Sequence, residues 1–231
     1  MDKIQTVIFD MDGTIAFRDT HDASFSSFFR HMKLEKEMKE ITKRYNDETR
    51  NIMTPEHHQR QFAETVALLQ GKAAPTPTEV FPSIPYALGF SEFCRYLRSQ
   101  GINTGIVTHS LLYAANRIKE ENDIQVAYAN EIHVDEAGRF TGTGTIHVLF
   151  GSKGEMVKKA YQALGGTKET TAYIGDSLND VDPWNSVGLP IGVNLHKPEL
   201  HLPEYEKHVH AHFDDFYGVL DFFKKNVQLE K

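Results

Sequence analysis

The chain has 231 residues, 40% of them hydrophobic, and a formal net charge of -7. An acidic chain lacks the basic footprint that displaces phosphate counterions, so nucleic-acid binding is not expected. No apolar run approaches the roughly 20 residues that span a bilayer, no secretory leader precedes the strand-like run from Ile4, and one cysteine, Cys94, excludes an internal disulfide. The expectation is a soluble cytoplasmic protein without a membrane partner.

At roughly 150 residues per domain, this length accommodates one buried core and an insertion. Val7-Ile8-Phe9 opens the chain as a short apolar strand ending at Asp10. Three similar runs follow: Ile102 to Val107 before Thr108, Thr171 to Ile174 before Gly175-Asp176, and Leu189 to Val193. Continuous apolar runs of this length read as parallel strands buried on both faces. Helical patterns lie between them near Leu111 to Glu121, Lys153 to Leu164 and Asp180 to Ser186. The predicted fold is α/β: a Rossmann-like parallel sheet with helices on both faces.

The interval from Asp12 to Ile102 is too long for one crossover, since a βαβ unit needs only about 30 residues. Residues 24–45 and 55–70 place apolar side chains at three and four spacing (Phe25, Phe28, Phe29, Met32; Phe62, Val66, Leu69), which predicts a small helical cap inserted after the first strand. Residues 1–15 and 86–231 then form the core domain, and 16–85 the cap. Prolines at 75, 77, 82 and 85 predict a stiff hinge, not packed structure, on the return, followed by a helix over 86–99. Asn130 to Ile146 alternates around Glu136-Ala137-Gly138 and predicts a β-hairpin. His208, His210 and His212 would share one face of a terminal strand.

Asp10-Met11-Asp12-Gly13-Thr14 brings two carboxylates to the same side of a strand end. One carboxylate can attack phosphorus, while the other, protonated, donates to a leaving alkoxide. A calcium loop starting at Asp10 fails, because its sixth and twelfth positions are Ile15 and His21 in place of Gly and Glu. Thr108-His109-Ser110 ends a strand and is expected to open a helix, whose free N–H groups bind phosphate; an ordinary N-cap has the same pattern. Lys153 begins a helix that Ser152 should cap, a position where a cation opposes the helix dipole unless an anion lies nearby. Asp176 and Asp180, with Asp182 beyond, make an oxygen-only cluster suited to Mg²⁺.

The ordered set Asp10/Asp12, Thr108, Lys153 and Asp176/Asp180 resembles the four signature motifs of the haloacid dehalogenase superfamily. The resemblance implies Asp10 as nucleophile and metal ligand, and Asp12 as acid/base whose backbone carbonyl also meets the metal. It further implies Thr108 and Lys153 on the phosphoryl oxygens, Asn179 near the phosphate, and Asp176 and Asp180 at Mg²⁺. His109 stands at the mouth of this phosphate site. A dehalogenase ordinarily lacks the second acid of the first motif, so Asp12 favours phosphoryl transfer. The expected function is a magnesium-dependent phosphatase of small phosphorylated metabolites acting through an aspartyl phosphate, as a monomer or homodimer. A phosphotransferase or phosphomutase would use the same chemistry. A raised pKa at Asp12, beside the other carboxylates, is predicted.

The stretch Ala129-Asn130-Glu131 and Val134 to Gly142 is similar to that of phosphoserine phosphatases, as are Gly175-Asp176 and Asn179-Asp180. Two departures stand out. That group usually carries Ser-Gly-Gly where this chain has Thr108-His109-Ser110, and a Glu soon after the first motif where this chain has Asp19 and Asp22. Arg18, His57, His58 and Arg60 are cap residues that either contact substrate or are simply solvated, and Phe17 either packs or floors the pocket.

Overall fold

The computed structural model describes residues 3–17, 23–49, 53–195 and 206–227. Among the described residues a seven-stranded sheet runs β4-β3-β2-β1-β5-β6-β7. Its strands are β1 (Thr6–Phe9), β2 (Asn103–Leu111), β3 (Val126–Val134), β4 (Phe140–Thr145), β5 (Thr171–Gly175), β6 (Leu189–Val193) and β7 (Ala211–Phe213). All neighbours are parallel except β3 and β4, the predicted hairpin.

Side-chain alternation along the strands creates two layers. Val7, Phe9, Ile106 and Ile174 face one hydrophobic cluster, while Ile8, Val107 and Tyr173 face the other. The first layer is closed by α5 (Phe90–Ser99), α6 (Leu112–Glu121) and the terminal α9 (Phe216–Asn226), with Phe9, Phe90, Phe93 and Phe216 meeting edge to face or tilted. The second is closed by α7 (Lys153–Ala163) and the short α8 (Val181–Asn185), which contribute Val157, Ala160 and Trp184. Cys94 is buried in the first layer, and desolvation pushes its thiol far above the ordinary range, as suits a packing residue. Among the described residues no helix is long and apolar enough to cross a membrane.

Between β1 and α5 lie α1 (Ser24–His31), α2 (Glu35–Thr49), α3 (Pro55–Ala67) and α4 (Pro77–Val80). The expected helical stretch 24–45 is broken after His31, where Lys33 adopts φ 59. The chain departs and returns side by side: Phe17 N–H donates to the Pro85 carbonyl at 3.1 Å, Ala87 N–H to that of Ile15 at 2.9 Å. The inserted helices pack on the sheet end, with α3 against β4 and Phe28 against Tyr113 and Phe140.

Four expectations need correction. The proline-rich return is not a bare hinge: Thr76 and Glu79 form a reciprocal capping box, and Val80 and Phe81 are buried. The helix expected over 86–99 begins only at Phe90, because Gly89 turns the chain at φ 81. The helix expected near Leu111 to Glu121 is α6, but Thr108-His109-Ser110 does not open it, since β2 continues to Leu111 through a register shift against β3. Of the alternating histidines only His212 lies within β7, while the His210 ring packs near Phe222.

Candidate active site

Register sets the site. Phe9 stands level with Ile106 and Ile174, so Asp10, one residue on, and Thr108 and Asp176, two residues on, lie together toward the carboxyl ends of three adjacent strands. That edge is where an open parallel sheet binds ligands.

Lys153 lies beneath them, 2% exposed, and its Nζ donates to Asp10 Oδ1 at 2.6 Å and Asp180 Oδ1 at 2.7 Å. Tyr173 hydroxyl donates to the same Asp180 oxygen at 2.6 Å, and the other Asp180 oxygen accepts from Asp176 N at 2.9 Å. Thr14 Oγ1 donates to Asp176 Oδ1 at 2.9 Å. Burial drives the Asp10 carboxyl up to about 8 against the opposing pull of Lys153, whereas Lys153 and Tyr173 hold Asp180 below its usual range.

Asp10, Asp176 and Asp180 each offer a carboxylate oxygen, all within 4.8 Å of one another. With the three ionised, one ammonium leaves two negative charges uncompensated in a buried site, a deficit that a divalent cation matches. An all-oxygen donor set suits a hard ion. The residues therefore fit a metal of this class.

Two glycines let the carboxylates approach. Gly13 sits at φ 84, and a Cβ there would meet Asp176 Oδ2 at 2.5 Å; a Cβ on Gly175 would collide with Asp180 Cγ. Gly13→Ala is expected to displace the Asp176 carboxylate and weaken divalent-metal binding by about tenfold or more. Calorimetric titration of the folded variant with Mg²⁺ checks this.

Asp12 stands apart from the cluster. Its carboxylate accepts from Ser24 N at 2.9 Å and Ser24 Oγ at 2.8 Å, and Ser24 Oγ lies 2.6 Å from Ser110 Oγ. Its pKa is raised as predicted, but the cause is burial first, with the charge of Asp176 only a minor contribution. The side chain turns toward a cavity of about 250 Å³ lined by Asp12, Phe25, His58, Gln61, Phe62, Thr65, His109 and Ser110.

Thr108 is 2% exposed, and its hydroxyl accepts from Ser110 N at 3.2 Å, so residues 108–110 form a compact turn of strand in place of a helix start. Asn179 is exposed, one residue before the buried Asp180. Ser152 does not cap α7 with its side chain; its hydroxyl donates to Leu149 O, and Asp182 accepts from Gly154 N at 2.7 Å instead. A carboxylate from α8 thus completes the helix end that carries Lys153.

Of the cap residues singled out in the sequence, His58 lines the cavity. His57 bonds Thr54 at 2.7 Å, Arg60 lies over the Tyr45 ring, and Phe17 packs on Phe81. Arg18, Asp19 and Asp22 lie outside the described residues. Sequence reasoning missed Ser24, Tyr173 and Thr14 as partners of the acids. Thr14 stands inside the first motif and was within reach of inspection, while Ser24 and Tyr173 carry no local signal.

Comparison with known proteins adds three findings. A phosphoserine phosphatase of Methanocaldococcus jannaschii is 27% identical over 190 residues, covering 82% of this chain and 85% of that protein. A probable phosphoserine phosphatase of Schizosaccharomyces pombe is 26% identical over 87% of this chain, which spans 64% of that relative's length. The solved structure of a phospho-aspartyl intermediate analogue of phosphoserine phosphatase shares the fold at TM-score 0.69 and 23% identity, covering 96% of this chain and 99% of its own. The family model for haloacid dehalogenase-like hydrolases matches residues 4–188, and the chain belongs to that family.

Proposed function

We propose that this chain is a magnesium-dependent phosphatase of small phosphate monoesters, with phosphoserine, which gives the relatives their names, among the esters to be tested first. The observation that carries the reading is the placement of Asp10: a buried carboxylate at a strand end, held by Lys153, grouped with Asp176 and Asp180, and close to a cavity walled by Asp12.

In this reading Asp10 Oδ attacks phosphorus, the bond to the ester oxygen breaks, and the departing alkoxide takes a proton from Asp12. Asp12, now ionised, removes a proton from the water that attacks the aspartyl phosphate and frees Asp10. Burial keeps Asp12 protonated more readily than an exposed acid, while the Ser24 bonds favour its ionised form and keep the reverse step accessible. Lys153, Thr108, His109 and Asn179 are the groups we assign to the phosphoryl oxygens. Asp10, Asp176 and Asp180, with the Asp12 carbonyl, are the proposed Mg²⁺ ligands. The ion would neutralise charge on the transferring group, the main requirement of phosphoryl transfer. Residues 16–85 act as the cap that closes over the leaving group.

Phosphate release from a panel of monoesters with Mg²⁺ or with EDTA tests the proposal. Release that requires the metal is the expected result; no release from any ester, or a rate indifferent to EDTA, would refute it.

A further inference from the structure

Between Val107 and Leu111, β2 leaves its regular pairing: it advances four residues while β3 advances two, from Tyr128 to Asn130. Thr108, His109 and Ser110 occupy that bulge, where an interrupted ladder leaves backbone groups to be met from elsewhere. A side chain meets one of them, as Asn130 Nδ2 donates to the His109 carbonyl at 2.8 Å. The oxygen of the same carboxamide serves a second segment. Once β4 has ended at Thr145, the amides of His147 and Val148 both donate to Asn130 Oδ1, at 3.0 and 2.9 Å.

These partners fix the orientation of the carboxamide, since a carbonyl only accepts and a backbone N–H only donates. Asn130 is 0% exposed, so the three bonds form without competition from bulk water. Both segments they join lead to the site. One is the bulge itself, where the Thr108 hydroxyl accepts from Ser110 N. The other runs through Val148, in the same buried cluster as Val157 of α7, to Leu149, whose carbonyl accepts from Ser152 N and Oγ, both at 3.1 Å. Lys153 follows as the first residue of α7. Its bonds to Asp10 and Asp180 fix the lysine tip relative to the acids. The bridge through Asn130 fixes the Thr108 bulge relative to the backbone from which that lysine springs.

We propose that Asn130 is a positioning residue for phosphate recognition: one carboxamide ties the Thr108-His109-Ser110 bulge to the segment that precedes Lys153, and so sets the spacing of two elements assigned to the phosphoryl oxygens. The inference rests on that assignment in the phosphatase reading above, and adds the residue that holds the two elements in register. Misplacement by about 1 Å of groups that converge on one reacting centre is enough to cost about 100-fold in rate.

Inorganic phosphate is a probe that needs no turnover. Its Kd, by calorimetry in Mg²⁺, and KM and kcat for p-nitrophenyl phosphate are compared in the wild type, Asn130→Asp and Asn130→Ser. Near neutrality Asp keeps an oxygen for the two amides but sets a second oxygen against the His109 carbonyl, while Ser is uncharged and too short to reach both segments. Both variants are expected to raise Kd and KM by about tenfold, as loss of one hydrogen bond to a charged group predicts. Asn103→Asp is the control: Asn103 Nδ2 donates to the Leu164 carbonyl at 3.0 Å, at the opposite end of β2 from Thr108. It should lower thermal stability and leave both constants unchanged, because loss of folded protein reduces apparent kcat and not KM.

Unchanged constants in the Asn130 variants, an equal rise in the control, or failure of both Asn130 variants to fold would assign Asn130 to the fold alone and overturn the proposal, leaving the enzyme a phosphatase. A rise confined to Asn130→Asp would trace the effect to added charge and overturn it too. A wild type that binds phosphate but releases none from the nitrophenyl ester would refute the phosphatase reading, and calorimetry would still decide the role of Asn130. A wild type that does neither would remove both.

Discussion

Asp10→Asn is expected to lower kcat by about 10⁴-fold or more on every ester the wild type hydrolyses, because an amide oxygen does not form the acyl phosphate. The protein itself should fold. Asn keeps the shape of Asp, and its Oδ1 still accepts from Lys153, whose second bond to Asp180 is untouched. Stability is where the physics makes a sharper statement. Burial raises the Asp10 carboxyl from 3.8 to about 8. For an acid with a raised folded pKa, the stabilisation of the neutral form is full below the unfolded value and is lost as pH climbs through the folded one. The wild type without metal should therefore lose stability between about pH 4 and 8, and Asn, which has no charge to bury, should escape this part of the loss. On the proposed metal site Mg²⁺ should reverse the order, since an ion bound by the carboxylate would stabilise the wild type by mass action. Thermal melts of both proteins across that pH range, with and without Mg²⁺, check both halves. A variant less stable than the metal-free wild type at pH 8 would show that the charged form of Asp10 holds the site together.

The parts of this arrangement that were legible in the sequence are those set by neighbours in the chain. The continuous apolar run Val7-Ile8-Phe9 is enough to predict a strand buried on both faces, and strand ends marked by polar residues predict that Asp10, Thr108 and Asp176 meet at one edge of a parallel sheet. The hairpin at Gly138 follows from equally local alternation. What the sequence concealed depends on pairings across long intervals. Ser152 has the chemistry of a cap, but Asp182 arrives from α8 and takes the bond at Gly154, and nothing within the turn itself announces that competitor. Thr108-His109-Ser110 reads as a helix start because hydroxyls favour N-caps; β2 instead runs on past a register shift to Leu111, which pairs with Asn130 of β3. The acidity of Asp12 was foreseen with the wrong dominant cause, since its carboxylate turns to Ser24 on α1 and away from the acid cluster. His58 likewise joins distant parts of the chain: it stands on α3, and the amide that donates to its Nδ1 belongs to Phe150.

Lys153→Met is expected to damage both the fold and the reaction, in a way that separates charge from volume. Met nearly matches the lysine stem, so packing against Tyr173 and the neighbouring strands is largely kept, while the ammonium that bonds Asp10 and Asp180 is gone. Removal of one partner from a buried ion pair typically costs about 3–5 kcal/mol, because the remaining charge stays desolvated. Three neighbouring carboxylates would now lack a protein cation, and Tyr173 and the backbone amides satisfy Asp180 alone. Some of that cost should return with divalent metal, so urea midpoints should fall sharply in EDTA and recover in part with Mg²⁺, by a larger increment than in the wild type. Turnover should not recover with them. In its proposed role the ammonium would also neutralise the transferring group, and its loss should leave kcat down by about 10³-fold even in saturating Mg²⁺. A variant equally stable with and without metal would mean that the carboxylates had simply taken up protons, and that Lys153 compensates less buried charge than its bonds to Asp10 and Asp180 imply.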